Sequence, residues 1–127
     1  MLLILKLMYN YLIVMPIILP VGWKRLTRLT KIPDGISKWS KNGRKLAIYM
    51  DSGEIKSVFD DKCPHNNRIS ITEHHEIEML STRPFITCTE HGAGYDLIGG
   101  DQIKGPGNCN LEFVEYRIAG KFLEVYV

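Results

Sequence analysis

A chain of 127 residues with a formal net charge of +2 is long enough for one hydrophobic core and too short for two. So balanced a charge argues against nucleic acid as a partner. Three cysteines, an odd number, do not make a secreted disulfide framework and point instead to metal or redox chemistry inside a cell.

Residues 1–20, MLLILKLMYNYLIVMPIILP, are apolar apart from Lys6, Tyr9, Asn10 and Tyr11. A bilayer-spanning helix takes about 20 mostly apolar residues, so the length just suffices, while Pro16 and Pro20 disfavour one long helix. Lys6 inside the run, and no small-residue cleavage site at its end, do not fit a secretory signal. Three readings stay open for this segment. It is a membrane anchor, an apolar tail packed on the domain or on a partner, or a stretch upstream of a true start at Met8 or Met15. The cations Lys24, Arg25, Arg28 and Lys31 follow directly. If the segment spans, they hold the rest of the chain in the cytoplasm. The expected location is therefore cytoplasmic, free or tethered to the cytoplasmic face of a membrane. The same four cations also read as an ordinary solvated face, or as a dock for an acidic partner.

From Gly22 onward the chain reads as short strands and turns. Residues 22–29, GWKRLTRL, suit a first strand, and Ile32 to Gly35 (IPDG) a turn. Asn42-Gly43 predicts a tight hairpin, because a type I′ turn needs positive φ at both central residues. RKLAIYM and IKSVFD flank a second hairpin at Asp51-Ser52-Gly53, and LEFVEYRI and KFLEVYV flank a third at Ala119-Gly120. In the last strand Leu123, Val125 and Val127 alternate with Phe122, Glu124 and Tyr126, which predicts one core-facing side. No 3.6-residue periodicity is sustained after residue 22. The expected fold is all-β: a small antiparallel sandwich or barrel over residues 22–127, with residues 1–20 apart from it.

Between the hairpins lies a stretch rich in Cys, His, Gly and Pro and poor in clear strands, which predicts functional loops. Cys63-Pro64-His65 comes first; after 22 residues, Cys88-Thr89-Glu90-His91-Gly92 follows. Both residue types are ligands for iron and zinc. A Cys2His2 finger keeps its cysteines in one half and its histidines in the other, whereas here each half has one of each. That suits a two-iron cluster, with Cys63 and Cys88 on one iron and His65 and His91 on the other. A structural zinc site is the alternative.

The pattern C-x-H, spacer, C-x-x-H-G resembles the Rieske [2Fe–2S] domain. The likeness continues through Ala93, Gly94, Tyr95 and Asp96, which fit H-G-x-x-[FY]-D. Downstream, Gly105-Pro106-Gly107-Asn108 resembles the family's proline loop. The resemblance spans roughly residues 22–127 and implies a cluster-binding subdomain of two loops carrying one [2Fe–2S] cluster. It implies Cys63, His65, Cys88 and His91 as ligands. Around them, Pro64 would stiffen the first loop. Gly92 and Gly94 would take unusual φ so that backbone amides reach the sulfurs, with Ala93 and Tyr95 beside them. Gly105, Pro106 and Gly107 would cover the site, leaving the two histidines near the surface as the electron exit.

Departures from the family pattern carry expectations too. Respiratory-type members have a disulfide between the two loops; the matching positions here are Arg68 and Glu90, so no bridge forms. A serine that donates to a bridging sulfide is Ala93 here, while the tyrosine that donates to a ligand cysteine is kept as Tyr95. Fewer donors favour the oxidised cluster, so the potential is expected below the respiratory type. The spacer is longer than in many members, and the extra length is expected within RISITEHHE. His74 and His75 lie there and read as solvated polar residues. Cys109 reads as a small loop residue, and Trp23 and Trp39 as packing.

The function implied is one-electron transfer by a ferredoxin between redox partner proteins, a reductase and a terminal oxygenase or other acceptor. The alternatives are a membrane-tethered Rieske subunit and a zinc-stabilised β-domain. With 36 residues after His91 and no histidines outside the cluster region, the chain is not expected to be an oxygenase on its own.

Overall fold

The structure, a computed structural model, describes residues 20–127. The readings made for residues 1–19 lie outside the described residues. The strands are β1 (Trp23–Arg28), β2 (Gly35–Lys41), β3 (Arg44–Asp51), β4 (Glu54–Asp60), β5 (His75–Leu80), β6 (Arg83–Cys88), β7 (Gly94–Asp96), β8 (Gln102–Lys104), β9 (Tyr116–Ala119) and β10 (Phe122–Tyr126). They form three antiparallel sheets, ordered β1-β10-β9, β2-β3-β4 and β5-β6-β7-β8. Among the described residues no helix is long and apolar enough to cross a membrane.

The expected hairpins form, the last with its turn at Gly120-Lys121, because Ala119 still pairs with Phe122. Asn42 and Gly43 both have positive φ, 53° and 73°, and join β2 to β3. The next turn is Ser52-Gly53 alone, φ 53° and 78°, because Asp51 still pairs with Glu54 across β3 and β4. Residues 111–115 differ from expectation: they do not extend β9. They run along the open edge of β4, where the Asp60 amide donates to Glu112 O (2.8 Å) and the Val114 amide to Val58 O (2.8 Å). The middle stretch is also more ordered than its composition suggests. The loop of Cys88 and His91 hangs from a four-stranded sheet whose β7 and β8 are only three residues each, and the loop of Cys63 and His65 links β4 to that sheet.

Strand β3 explains the layering. Its run Leu46-Ala47-Ile48-Tyr49-Met50 is buried throughout, as a strand covered on both faces must be. Alternation sends Leu46, Ile48 and Met50 one way, into a core with Val58, Val114, Leu123, Val125 and Val127. It sends Ala47 and Tyr49 the other way, into a core with Phe59, Cys63, Ile71, Ile86, Cys88, Tyr95 and Leu97. The β2-β3-β4 sheet thus divides two cores, and both pattern cysteines lie in the second.

Candidate metal centre

The first loop leaves β4 at Asp60 and closes on itself immediately. The Cys63 amide donates to Ile69 O (2.8 Å), Asn66 donates to Cys63 O (3.0 Å) and Ile69 donates to Asn66 O (3.0 Å). Its neck is held by Asp61, a buried carboxylate that accepts from Ser70 Oγ (2.8 Å), the Thr72 amide (2.8 Å) and Thr72 Oγ1 (2.7 Å). These bonds order most of the expected extra length, residues 68–72. The second loop is a tight five-residue link from β6 to β7. There Cys88 N donates to Ala93 O (2.8 Å) and Gly92 N to Cys88 O (2.8 Å). Gly92 supplies the turn with φ +74°.

These loops bring the four pattern residues to one end of the molecule. Cys63 and Cys88 are fully buried, and their sulfurs lie with a ring nitrogen of His91 inside a group no wider than 4.8 Å. His65 joins through His91: the two rings stand edge to face, centroids 4.9 Å apart, and both histidines are exposed. Burial and the neighbouring Cys63 thiol push the Cys88 thiol up, against the pull of the Glu90 and His91 amides, which point at its sulfur.

Tyr95 lies at the floor. It is fully buried, and its hydroxyl has no hydrogen-bond partner among the described residues. Burial first, and then the adjacent Cys63, raise its hydroxyl pKa. Pro64 is half-buried beside Cys63, and Ala93 is fully buried at the end of the second loop. Gly94 departs from expectation. It does not take positive φ but sits extended in β7, where a Cβ would meet the Lys104 stem at 2.9 Å. Its value is space rather than conformational range.

A third loop covers the site. Gly105 (φ +85°) presses so closely on the second loop that a Cβ there would lie 2.5 Å from Ala93 Cα and 2.6 Å from Gly92 O. Pro106 follows, exposed, and a Cβ on Gly107 would lie 2.7 Å from His65 Nδ1.

The remaining sequence candidates take other places. His75 pairs across the sheet with Cys88, but its Nδ1 lies 2.9 Å from Thr72 O. His74 O accepts from the Thr89 amide (3.0 Å), and its ring Nδ1 lies 3.1 Å from Glu90 Oε1. Neither histidine joins the cysteine group, yet His74 braces the second loop, a role its sequence context did not signal. Glu90, at the position of the family's disulfide cysteine, is its partner, and Arg68 is exposed. Cys109 is an exposed free thiol. Trp39 packs partly buried on the first core, while Trp23 meets Tyr126 edge to face at 5.5 Å. Asp61, and Gln102 in β8, went unnoticed in the sequence, since no motif marks either.

The chain matches the Rieske [2Fe–2S] domain family over residues 22–116. No curated protein sequence matches it significantly. Among solved structures it is similar to the ferredoxin of carbazole 1,9a-dioxygenase from Nocardioides aromaticivorans IC177. The TM-score is 0.67 at 15% identity, covering 83% of this chain and 97% of that one. A protein assigned as the small subunit of an NADPH nitrite reductase matches with TM-score 0.64 at 10% identity, covering 84% and 99%. A chain from an oxygenase–ferredoxin complex of carbazole 1,9a-dioxygenase matches with TM-score 0.69 at 18% identity, covering 83% of this chain and 28% of that one. At such identities the structural likeness is one of fold. The family match rests on the sequence itself and spans most of the described residues: the chain belongs to the Rieske [2Fe–2S] domain family.

Proposed function

We propose that the chain is a ferredoxin-type electron carrier, with Cys63 and Cys88 holding one iron of a [2Fe–2S] cluster and His65 and His91 the other. The observation that carries this reading is the pair of buried cysteines beneath a pair of exposed, mutually contacting histidine rings. Three further features suit such a group. The Glu90 and His91 amides are already aimed at a sulfur. The Tyr95 hydroxyl is buried with no partner, as a donor awaiting a sulfur acceptor would be. The Gly105–Gly107 cover leaves no room for a Cβ against the second loop or His65. Bound there, the cluster supplies one-electron chemistry and no bond-making.

The protein's own residues set who exchanges that electron. The buried face of the site is closed by apolar core, so the route out is the exposed edge formed by His65, His91 and Pro106. A redox partner docks there, receiving or giving one electron across the imidazoles. A structurally similar ferredoxin belongs to a dioxygenase system. That favours a reductase as donor and a terminal oxygenase as acceptor. Residues 22–127 form the carrier domain and residues 1–20 a separate apolar segment.

A tethered carrier is the second reading. It is supported by the joining of that apolar run to β1, whose Arg25 and Arg28 stack over Phe122 on the outer sheet face beside Trp23 and Tyr126. Fractionation of the full chain separates the two readings. Residence in the membrane pellet selects the tether, and residence in the supernatant selects the free carrier.

The deciding experiment is spectroscopic. The purified chain is expected to be red-brown, to contain two irons and two sulfides, and to give an EPR signal of low average g on reduction. A colourless protein with one zinc per chain would overturn the reading.

A further inference from the structure

The third loop has almost nothing of its own to hold it. Residues 103–110 are all exposed, and the strand that launches it, β8, is three residues long with a register shift opposite Gly94 and Tyr95. It contributes no side chain to either core. Yet it keeps a close backbone approach to Gly92 and Ala93 and to the His65 ring. Something must fix its shape.

One side chain does so. Gln102, directly opposite Tyr95 in the β7–β8 pairing, is half-buried at the centre of the loop. Its Nε2 donates to Pro106 O (2.8 Å), Lys104 O (3.2 Å) and Gly105 O (3.2 Å). Its Oε1 accepts from the Cys109 amide (3.0 Å). Its own backbone amide donates to Asn110 Oδ1 (3.1 Å). A carboxamide is the side chain that offers two N–H groups and an acceptor from one rigid plane. Three carbonyls at one end and an amide at the other also fix which end is nitrogen. The loop is therefore wrapped around Gln102.

We propose that Gln102 is the positioning residue of the cluster cover: its carboxamide ties residues 104–109 so that Gly105 lies on the second loop and Gly107 fixes the His65 ring. The hydrogen-bonded tie exists whatever the site binds. Its consequence at His65 rests on the electron-carrier reading above. A glutamine that merely filled space would tolerate glutamate, which is nearly isosteric. Glutamate instead places a carboxylate oxygen against the carbonyls of Lys104, Gly105 and Pro106, where only a donor is compatible.

The test uses the full chain as purified, with Gln102→Glu and Gln102→Leu beside it, and two readings. The first is hydrogen exchange of the Cys109 amide, the loop amide that the Gln102 carboxamide holds, which reports the loop with or without a cluster. Opening should become easier by about tenfold or more in both variants, since several hydrogen bonds are lost at once, and the glutamate variant should be the worse. Exchange in β2, β3 and β4 should not change. The second is the EPR line shape of the reduced protein, which reports ligand-ring geometry. It should broaden in both variants. Wild-type-like exchange in the glutamate variant would overturn the tie. Faster loop exchange with an unchanged EPR spectrum would overturn its action on His65. If the unaltered chain binds no cluster, the electron-carrier reading fails and the exchange measurement still decides the tie.

Discussion

The hydroxyl of Tyr95 is fully buried beside Cys63 and makes no well-formed hydrogen bond among the described residues, a state that costs up to roughly 1–3 kcal/mol. Removing it therefore has opposite consequences in the two forms of the protein. In the cluster-free chain, Tyr95→Phe should leave stability unchanged or raise it by up to about 1 kcal/mol, because an unsatisfied polar group disappears. In the loaded chain the same change removes a donor beside Cys63 that favours the more negative reduced cluster, so the potential should fall. The expected drop is on the order of 60 mV, a factor of ten for a one-electron couple. Denaturant unfolding of the stripped protein and a redox titration of the loaded one measure the two effects. A lower stability without cluster, or an unmoved potential with it, would show that the hydroxyl does something else. That Cys63, Cys88 and His91 gather, with His65 against His91, was legible in the sequence because metal chemistry restricts residue type and the two short motifs are local. Asp61, His74 and Gln102 were not. Each acts by hydrogen bonds to atoms that the fold brings to it, Asp61 from residues 70–72 and His74 from residues 89–90. Their spacing in the chain carries no sign of that.

At the scale of turns and loops, glycines with the same backbone angle do different work. Gly43 (φ +73°) closes the β2–β3 hairpin with open space where a Cβ would go, whereas Gly105 (φ +85°) abuts the backbone of Ala93. Gly43→Ala should cost about 1–2 kcal/mol, the strain of an L-residue in the left-handed region, and leave the metal centre untouched. Gly105→Ala meets the same strain and a backbone collision as well, which lifts the cover from the second loop. Its visible absorbance should bleach several-fold faster under a chelator, while that of Gly43→Ala keeps the unaltered rate. Equal bleaching rates would mean that the cover does not protect the centre. The hairpin at Asn42-Gly43 was readable because the turn type demands those residues. The β5-β6-β7-β8 sheet was not. Strands of three residues cannot display a period of two, and β5, exposed from Glu76 to Leu80, shows no buried face.

For the whole molecule, the decisive feature is a central sheet buried on both sides, which separates the core that contains Cys63 and Cys88 from one that contains neither. Sequence alternation identified the Leu123, Val125 and Val127 face correctly. It did not reveal that LAIYM serves two cores, because a continuous apolar run reads the same for any fully covered strand. The division predicts that stability and redox tuning are separable. Leu123 is fully buried in the structural core, packed with Leu46, Ile48 and Val125 on the side of the central sheet away from Cys63 and Cys88. Leu123→Ala leaves a cavity there and should cost about 2–5 kcal/mol. Close packing transmits strain only as far as neighbours must move, and the hydrogen-bonded ladder of β2, β3 and β4 stands between that cavity and the ligand loops. The unfolding midpoint should therefore drop sharply while the reduction potential and the reduced EPR spectrum stay where they are. If the potential moves with the midpoint, the central sheet is a deformable partition rather than a wall, and the two cores form one mechanical unit.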